Sequence, residues 1–386
     1  MKTISKFVII SLVLLIPLLI GCSKRGIVPE SHFDTVVSHY DQGMRELKAG
    51  HIDKAKWEFE RAQGIDDKSP LPKVGLALVE MELGHRNEAF DYVKKALKKN
   101  SKCVKAYIAK AKIRMAFKKD KDWYKKAQDD LKKAREIAPK NAEVYFVEGK
   151  VHEAAFKLDP AERAFARVME LKNGYEKDSN HELEKIHKIK RAAPGTKIGI
   201  KIGLVDQITR AETAVLFIEE LKLIDLIHRG EKPEVDVSFR EPEDARHMEA
   251  EKVVKMPAAT DIADHWAKNY IDEILKLDIR GLSAFPDHTF KPDDPLTRAE
   301  YALLMEDLLI KLLGNGDIAT KYIGKPSPFP DVGSSHFAYN AINVCVEKGI
   351  MKADLRNNLF HPSDTVSGAD ALLMIKALQD QLRTRF

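Results

Sequence analysis

An arginine stands in the first turn of a predicted helix near residue 298, where helix capping gives it no role. Thr297 and Glu300 lie three residues apart just before an apolar run at helical spacing, the pattern of two side chains that cap a helix reciprocally. Arg298 lies between them, at the positive end of the helix dipole, so its charge does not stabilise the helix. A guanidinium beside free backbone N–H groups indicates an anionic partner.

The same pattern occurs at two other places in the chain. The further capping pairs are Thr209 with Glu212 and Ser367 with Asp370. All three pairs predict a capped helix. Arg210 follows Thr209, whereas Gly368 follows Ser367 and offers no charge. The sequence therefore predicts three similar helices, two of which carry a cation in the first turn.

The segment around Arg298 contains four ordered blocks. They are Asp264-His265-Trp266-Ala267, an apolar helix from Ile271 to Leu277, a loop from Phe285 to Pro292, and Thr297-Arg298-Ala299-Glu300. This order and spacing resemble an S-layer homology (SLH) repeat. His288 stands where that family usually has glycine, so we expect the tight loop to be shaped differently.

Two further copies flank this segment. Their matches are His336-Phe337-Ala338, Phe360-His361-Pro362 and Ser367 to Asp370 downstream, and His181, a Gly-rich connection from Gly195 to Gly203, and Ile208 to Glu212 upstream. We expect a degenerate first copy at residues 175–226, a second at 258–313 and a third at 327–383. A charged linker at 227–257 separates the first two copies, and a short helix is predicted in it from Glu241 to Lys255.

The resemblance implies a pseudo-threefold module that binds an acidic, often pyruvylated, cell-wall polysaccharide in grooves between repeats. By that resemblance Arg298, Trp266 and Arg210 are the glycan-binding candidates. The third copy, with Phe337 in place of the tryptophan, is expected to complete the bundle. A guanidinium suits a sugar carboxylate because it presents two parallel N–H donors. We therefore expect Arg298→Ala to weaken glycan binding with little change in stability.

A different repeat, with a period of 34 residues, occupies the N-terminal half. In its first two copies Gly43, Gly50, Ala55, Phe59 and Ala62 correspond to Ala77, Gly84, Ala89, Val93 and Ala96. Small residues at these positions let antiparallel helices approach closely. The pattern resembles the tetratricopeptide repeat (TPR), with four copies over residues 36–171. It implies a protein partner without identifying it.

The charge is distributed unevenly along the chain. The formal net charge of +5 is small for 386 residues and gives no reason to expect nucleic acid binding. Between Lys94 and Lys140, however, 18 Lys or Arg stand against 5 Asp or Glu. Two interpretations remain open: a face for an anionic partner, or the solvated side of amphipathic helices.

The N-terminus has the pattern of an export signal. Lys2 and Lys6 precede an apolar stretch from Phe7 to Ile20, which is short for a membrane span. Leu19-Ile20-Gly21-Cys22 resembles a bacterial lipobox. The resemblance implies a signal peptide at 1–21, lipid on Cys22, attachment to a membrane and a linker at 22–35. Ser23 favours the outer membrane by analogy with Gram-negative sorting. The alternative is an uncleaved anchor with an incidental cysteine.

No catalytic constellation is evident in the sequence. His181-Glu182 begins like a zincin helix, but Lys185 occupies the place of the second histidine. Gly195 to Gly203 lacks the ending of a phosphate-binding loop. Cys103 and Cys345 lie far apart, which favours two small buried residues over a metal site or a disulfide. The sequence thus predicts no metal and no cofactor.

These observations predict a mainly α fold, in which a TPR superhelix precedes a pseudo-threefold helical SLH module. The expected function is a noncatalytic envelope lipoprotein that links a membrane to wall polysaccharide and recruits a protein through its TPR repeats. One alternative is an envelope assembly adaptor whose SLH unit is a protein interface. A weaker alternative is a hydrolase of cell-wall glycan.

Overall fold

The computed structural model describes residues 34–230 and 259–383. The predicted signal peptide, Cys22, and the predicted helix from Glu241 to Lys255 therefore lie outside the described residues. The helices are α1 Val36–Lys48, α2 Ile52–Ile65, α3 Leu71–Glu82, α4 Arg86–Lys99, α5 Val104–Phe117, α6 Trp123–Ile137, α7 Ala142–Ala154, α8 Leu158–Leu171, α9 Glu176–Ala192, α10 Lys197–Gly203, α11 Arg210–Glu219, α12 Leu223–Gly230, α13 Lys268–Lys276, α14 Arg298–Leu313, α15 Tyr339–Glu347 and α16 Gly368–Arg383. A 3₁₀ helix spans Gly316–Thr320. The mainly α fold class is confirmed.

The chain divides into two compact units. The first contains residues up to Asp120 together with Lys132–Ile137, and the second contains Lys121–Leu131 and Ala138–Phe386. This division falls inside the predicted TPR array. The last TPR-like helix pair, α7 and α8, is therefore part of the same compact unit as the three predicted SLH copies.

The turn inside each TPR-like pair has the same backbone conformation. Gly50, Gly84, Lys118 and Phe156 all have positive φ, between 46° and 82°. Glycine adopts this left-handed region without strain, whereas lysine and phenylalanine do not. The conformation persists where the glycine is lost, so the turn is set by the packing of the two helices and not by glycine alone.

Glycines in the TPR-like pairs make room for phenylalanine rings. A Cβ atom added to Gly43 would lie 2.5 Å from the ring of Phe59, and one added to Gly75 would lie 2.2 Å from it. In the second unit, Gly149 has the same relation to Phe165, at 2.5 Å. Both rings are fully buried. The close approach of helices that the small residues predicted is thus realised around these two rings.

In the second unit, α9 joins the last TPR-like pair to the predicted SLH copies. It packs against α8 on one side and against α16 on the other. Lys188 of α9 also pairs with Asp370 of α16 at 2.8 Å. The Gly-rich segment after α9, predicted to be a connection, is instead helical from Lys197 to Gly203, because Thr196 caps it by accepting from the Gly199 N–H at 2.9 Å.

Three backbone hydrogen bonds close a ring between the three copies. The Ile208 N–H donates to the Val366 carbonyl at 2.8 Å, Val366 donates to Leu296 at 3.0 Å, and Leu296 donates to Ile208 at 3.0 Å. Each of these buried residues directly precedes a helix cap. The ring brings the beginnings of α11, α14 and α16 together around a pseudo-threefold axis.

Among residues 34–230 and 259–383, no helix is both long and apolar enough to cross a membrane.

Candidate functional site

The helices that begin at the ring are capped by the predicted side chains. Thr209 accepts from the Glu212 N–H at 3.2 Å, and Glu212 accepts from the Thr209 N–H at 3.0 Å. Thr297 and Glu300 make the same reciprocal pair. In the third copy the Asp370 N–H donates to Ser367 at 3.1 Å, and the Ser367 hydroxyl donates to the Asp370 carboxylate at 2.7 Å. The three helix beginnings are therefore fixed by similar side-chain interactions.

The first N–H groups of these helices are bound by carbonyls of the following copy. Arg210 N–H donates to Asp294 at 3.0 Å, and Arg298 N–H donates to Asp364 at 2.8 Å. The next residue in each helix donates to Pro292 or to Pro362, both at 3.0 Å. These groups therefore do not form the free anion-binding terminus that the sequence suggested.

The Arg210 guanidinium is buried, and all of its nitrogen atoms donate to carbonyls of the second copy. Nε donates to Phe290 at 2.7 Å, one terminal nitrogen to Gly281 at 2.6 Å and the other to Ser283 at 3.0 Å. It also lies 4.7 Å from the centroids of the Phe285 and Phe290 rings. Burial lowers the pKa of this guanidinium, which nevertheless stays charged. Arg210 thus joins the first copy to the loop of the second.

Arg298 has the equivalent position between the second and third copies. Its Nε donates to Phe360 at 2.9 Å and Nη2 donates to Lys352 at 2.8 Å. The guanidinium lies 4.6 Å from the centroid of the Phe360 ring. Nη1 has no hydrogen-bond partner among the residues that the structure describes. Arg298 is partly exposed, so it combines a structural contact with N–H donors on Nη1 that remain available.

Asp261 and Asp331, which were not predicted as site residues, fix the loops that these arginines contact. Asp261 accepts from the N–H groups of Phe290 and Lys291, both at 2.7 Å. Asp331 accepts from Phe360 at 2.9 Å and from His361 at 2.6 Å. Burial opposes ionisation of Asp331, but the backbone hydrogen bonds outweigh it and lower its pKa. Their recurrence 70 residues apart in the sequence was the signal for this role.

The loop itself keeps the backbone shape that glycine normally provides. His288 has φ of 60°, and Asn358, at the matching position of the third copy, has φ of 57°. The expectation of a differently shaped loop at His288 is therefore wrong. The His288 carbonyl accepts from the Thr260 N–H at 2.8 Å and from the Thr260 hydroxyl at 3.0 Å. These contacts explain how a histidine is held in a left-handed conformation.

Trp266 is an exposed aromatic side chain at the junction of the first two copies. It is 53% exposed, and the Lys201 ammonium of α10 lies 5.5 Å from its ring centroid. Lys201 is itself exposed and was not predicted as a site residue, because α10 was not recognised as a helix. Phe337, at the position equivalent to Trp266, is 68% exposed. An indole face next to an ammonium is suited to a sugar ring that carries a negative charge.

The third junction, between the third and first copies, has no room for an arginine. A Cβ atom added to Gly368 would lie 1.8 Å from the Ile202 carbonyl oxygen of α10. The Gly368 N–H donates instead to Val205 at 3.0 Å. The glycine is therefore required by the close approach of α10, which explains why the arginine is missing from this copy.

The exposed lysines of the predicted basic region include a group at the end of α4. Its members Lys94, Lys95, Lys98, Lys99 and Lys102 are all exposed. Lys99 pairs with Asp67 at 3.2 Å, and Lys95 lies 4.8 Å from the centroid of the Tyr92 ring. Nearby, Phe90 lies between the guanidinium groups of Arg86 and Arg114, at 5.1 and 5.2 Å. This face of the first unit is positively charged.

Cys103 and Cys345 are buried free thiols, as the sequence indicated. Burial raises the pKa of both. In the described part of the chain, no group of three or more His, Cys, Asp or Glu side chains is placed to hold a metal ion.

Two segments of the C-terminal half match a known protein family. Residues 260–302 and 328–372 match the S-layer homology domain. Two curated relatives, both from Acetivibrio thermocellus, are similar to this chain. "Cell surface glycoprotein 1" is 32% identical over 89 residues, which is 23% of this chain and 3% of that protein. "Cellulosome-anchoring protein" is 26% identical over 176 residues, which is 44% of this chain and 31% of that protein. The chain thus spans less than a third of either relative.

Two solved structures are similar to the chain. A thermophilic TPR protein of Thermus thermophilus is 19% identical with a TM-score of 0.36, covering 50% of this chain and 96% of that one. PilF of Pseudomonas aeruginosa is 17% identical with a TM-score of 0.31, covering 49% and 84%. The helix pairs and left-handed turns described above carry the TPR assignment. The chain therefore contains S-layer homology domains at residues 260–302 and 328–372, which follow an array of TPR helix pairs.

Proposed function

We propose that this protein is a noncatalytic tether of the cell envelope, which holds a wall polysaccharide through its SLH module and a protein through its TPR pairs. The SLH domains and the TPR helix pairs support envelope anchoring and protein scaffolding. Lipid on Cys22 would attach the other end to a membrane. We further propose that the glycan is acidic and carries a carboxylate on one of its sugars.

The pair formed by Trp266 and Lys201 is the observation that carries the glycan proposal. Trp266 offers an exposed aromatic face, and Lys201 offers a cation at the same place from the preceding copy. Arg298 supports binding at the next junction through its available Nη1 donor. The Arg210 side chain is buried and each of its nitrogen atoms already donates to a carbonyl of the second copy, so its part in binding is to shape the groove by fixing that loop.

Co-sedimentation with purified cell-wall sacculi tests this proposal. We expect the protein to bind sacculi and to lose binding once their secondary polymers are removed. Trp266→Ala should weaken binding about tenfold or more, since stacking of an aromatic ring contributes roughly 1–3 kcal/mol in comparable contacts. Trp57→Ala is the matched control, because it removes a similarly exposed tryptophan from the first unit, outside the SLH module. Equal binding by the Trp266→Ala variant and the parent protein would show that the glycan does not bind at this junction.

The same experiment separates the alternatives. Release of soluble sugar products from sacculi would support a hydrolase instead of a tether. Binding that is independent of the secondary polymers, and is lost when wall-associated proteins are stripped, would support the adaptor in which the SLH module is a protein interface.

The TPR pairs are proposed to bind an acidic protein segment through the basic face of α4. Substitution of Lys94, Lys98 and Lys102 by glutamate in the full chain should abolish capture of the partner. Because exposed charges are screened over about 8 Å at physiological ionic strength, binding should also weaken as salt rises. Capture that is unaffected by both changes would leave this face as a solvated surface only.

Membrane attachment is proposed to occur through Cys22. Cys22→Ala should prevent acylation and leave an unprocessed precursor, as measured by mass spectrometry of the N-terminal peptide. A mature N-terminus at another residue without acyl groups would contradict the lipid anchor and leave the glycan proposal unaffected.

A further inference from the structure

Five charged side chains form a continuous line from α7 through α9 to the loop before α11. Glu153 Oε2 lies 2.6 Å from the Lys150 ammonium, which lies 2.9 Å from Glu182 Oε1. Glu182 Oε2 lies 3.0 Å from the Lys185 ammonium, and Lys185 lies 2.6 Å from Asp206. This ionic line therefore joins the last TPR pair to the first predicted SLH copy.

The ionic line contains three carboxyl groups and only two ammonium groups. Its two ends differ in their surroundings, because the Asp206 side chain is 73% exposed whereas the Glu153 side chain is 6% exposed. Glu153 Oε1 is buried and has no hydrogen-bond partner, whereas both oxygens of a buried carboxylate normally accept hydrogen bonds. The surplus negative charge is therefore most costly at Glu153.

The charges that face Glu153 come from two helices. Lys150 of its own helix and Lys185 of α9 favour its ionised form, whereas Glu182 of α9 opposes it. The adjacent His152 pairs with Tyr124 of α6 at 2.9 Å, and the charges of Arg163 on α8 and of Lys157 act on that histidine. Burial is the largest influence on Glu153 and raises its pKa to about 7. With Glu153 neutral, the four remaining charges of the line balance. His181, whose Nε2 lies 3.9 Å from Asp206 at the exposed end of the line, adds a positive charge only when it is protonated.

We propose that the ionic line is a pH-sensitive link between the TPR pairs and the SLH module, in which Glu153 holds a proton while α7 and α9 are joined and loses it as the pH rises through neutrality. Ionised Glu153 leaves one uncompensated negative charge in the buried part of the line. The contact between α7 and α9 then weakens.

The effect reaches the SLH module through Asp206. This residue lies two positions before Ile208, whose N–H closes the backbone ring with Val366. Val205, beside Asp206, accepts from the Gly368 N–H. Greater mobility of α9 and of the loop at Asp206 therefore weakens the junction between the first and third copies. Ionisation of Glu153 in this way affects the backbone hydrogen bonds of the ring.

Amide hydrogen exchange of the full chain, followed by mass spectrometry at several pH values and corrected for the intrinsic exchange rate, tests the link. We expect peptides of α9 and of residues 204–208 to exchange about tenfold faster at about pH 8 than at about pH 5.5. Glu153→Gln mimics the protonated side chain and should abolish this difference by keeping the slow rate at the higher pH. Glu184→Gln is the matched control, because Glu184 is exposed on α9, where it accepts from Asn180 at 2.8 Å.

Two outcomes would overturn the link. One is an equal pH dependence in the parent protein and the Glu153→Gln variant. The other is faster exchange in that variant at about pH 8, which would mean that an ionised Glu153 stabilises the contact through Lys150. If Glu153→Gln does not fold, Lys150→Gln replaces it, because loss of the favourable cation must move the midpoint of the pH dependence upward. An unchanged midpoint in that variant would also contradict the proposal.

Discussion

The N–H of Ile208 donates a 2.8 Å hydrogen bond to the carbonyl of Val366, which joins the first and third predicted copies directly. The third copy thus closes the ring, although it has neither the arginine nor the tryptophan of the second copy. Without Val366, the Ile208 N–H and the Leu296 carbonyl would both lose their partners in the interior. Unpaired backbone groups of this kind each cost about 1–3 kcal/mol. The three copies therefore depend on one another for stability.

Gly368→Ala should destabilise the module strongly, because its methyl group would meet the Ile202 carbonyl at 1.8 Å. Overpacking of a buried contact costs roughly 1–3 kcal/mol. We expect a lower midpoint in thermal unfolding followed by circular dichroism. Gly316→Ala is the control, since a Cβ atom there has nothing within 4 Å. Gly368→Arg, which restores the arginine of the other copies, should be still less stable. A neutral Gly368→Ala would mean that α10 can move away without loss.

Arg298→Ala should lower stability as well as glycan binding, contrary to the expectation from the sequence. It removes the donors for the Phe360 and Lys352 carbonyls, and a hydrogen bond from a charged group contributes about 1.5–3 kcal/mol. Urea unfolding measures the loss. Arg356→Ala, which removes an exposed arginine from the loop of the third copy, should change stability little. Arg298→Lys should recover only part of the loss, because an ammonium cannot reach both carbonyls with a planar fork.

His288 should tolerate glycine better than a branched side chain. Its φ of 60° lies in the left-handed region, where a non-glycine residue costs about 1–2 kcal/mol. Since glycine gains entropy in the unfolded chain, His288→Gly should raise stability by no more than about 1 kcal/mol. His288→Val should lower it. Thermal melts of the two variants check the order, and a less stable glycine variant would show that the imidazole itself holds the loop.

The first unit should lose stability as the pH rises above neutrality, through His39. Burial opposes the charged imidazolium, but its hydrogen bonds with Glu58 and Asp34, both at 2.6 Å, outweigh burial and raise the pKa of His39. A group whose pKa is raised by folding contributes stability below its ordinary value of 6.5 and loses it as the pH rises through the raised value.

Amide exchange in α1, compared between about pH 6 and about pH 9 after intrinsic correction, measures this loss. His39→Gln should remove the pH dependence, whereas His51→Gln, on an exposed side chain, should leave it in place. Persistence of the pH dependence in the His39→Gln variant would assign it to another group.

The sequence predicted local features well and contacts between copies poorly. Thr297 and Glu300 are three residues apart, so their capping interaction could be predicted from spacing alone. The partners of Arg298 could not, because they are carbonyl groups of residues 352 and 360, and no side-chain pattern marks a carbonyl acceptor. Lys201 was missed because α10 was not predicted as a helix. Glycines at 199 and 203 are unfavourable in a helix, and α10 depends instead on packing against α16, which lies far away in the sequence.

The closed ring has a mechanical consequence if the protein links two layers, as proposed. A pull that enters the first copy through α9 reaches the second copy by two routes, directly from Ile208 to Leu296 and around through Val366. Rupture of any one of the three bonds still leaves an unbroken path between every pair of copies. A load on one copy is therefore shared with both others, and the contacts of Arg210 and Arg298 with the neighbouring copies carry part of it as well.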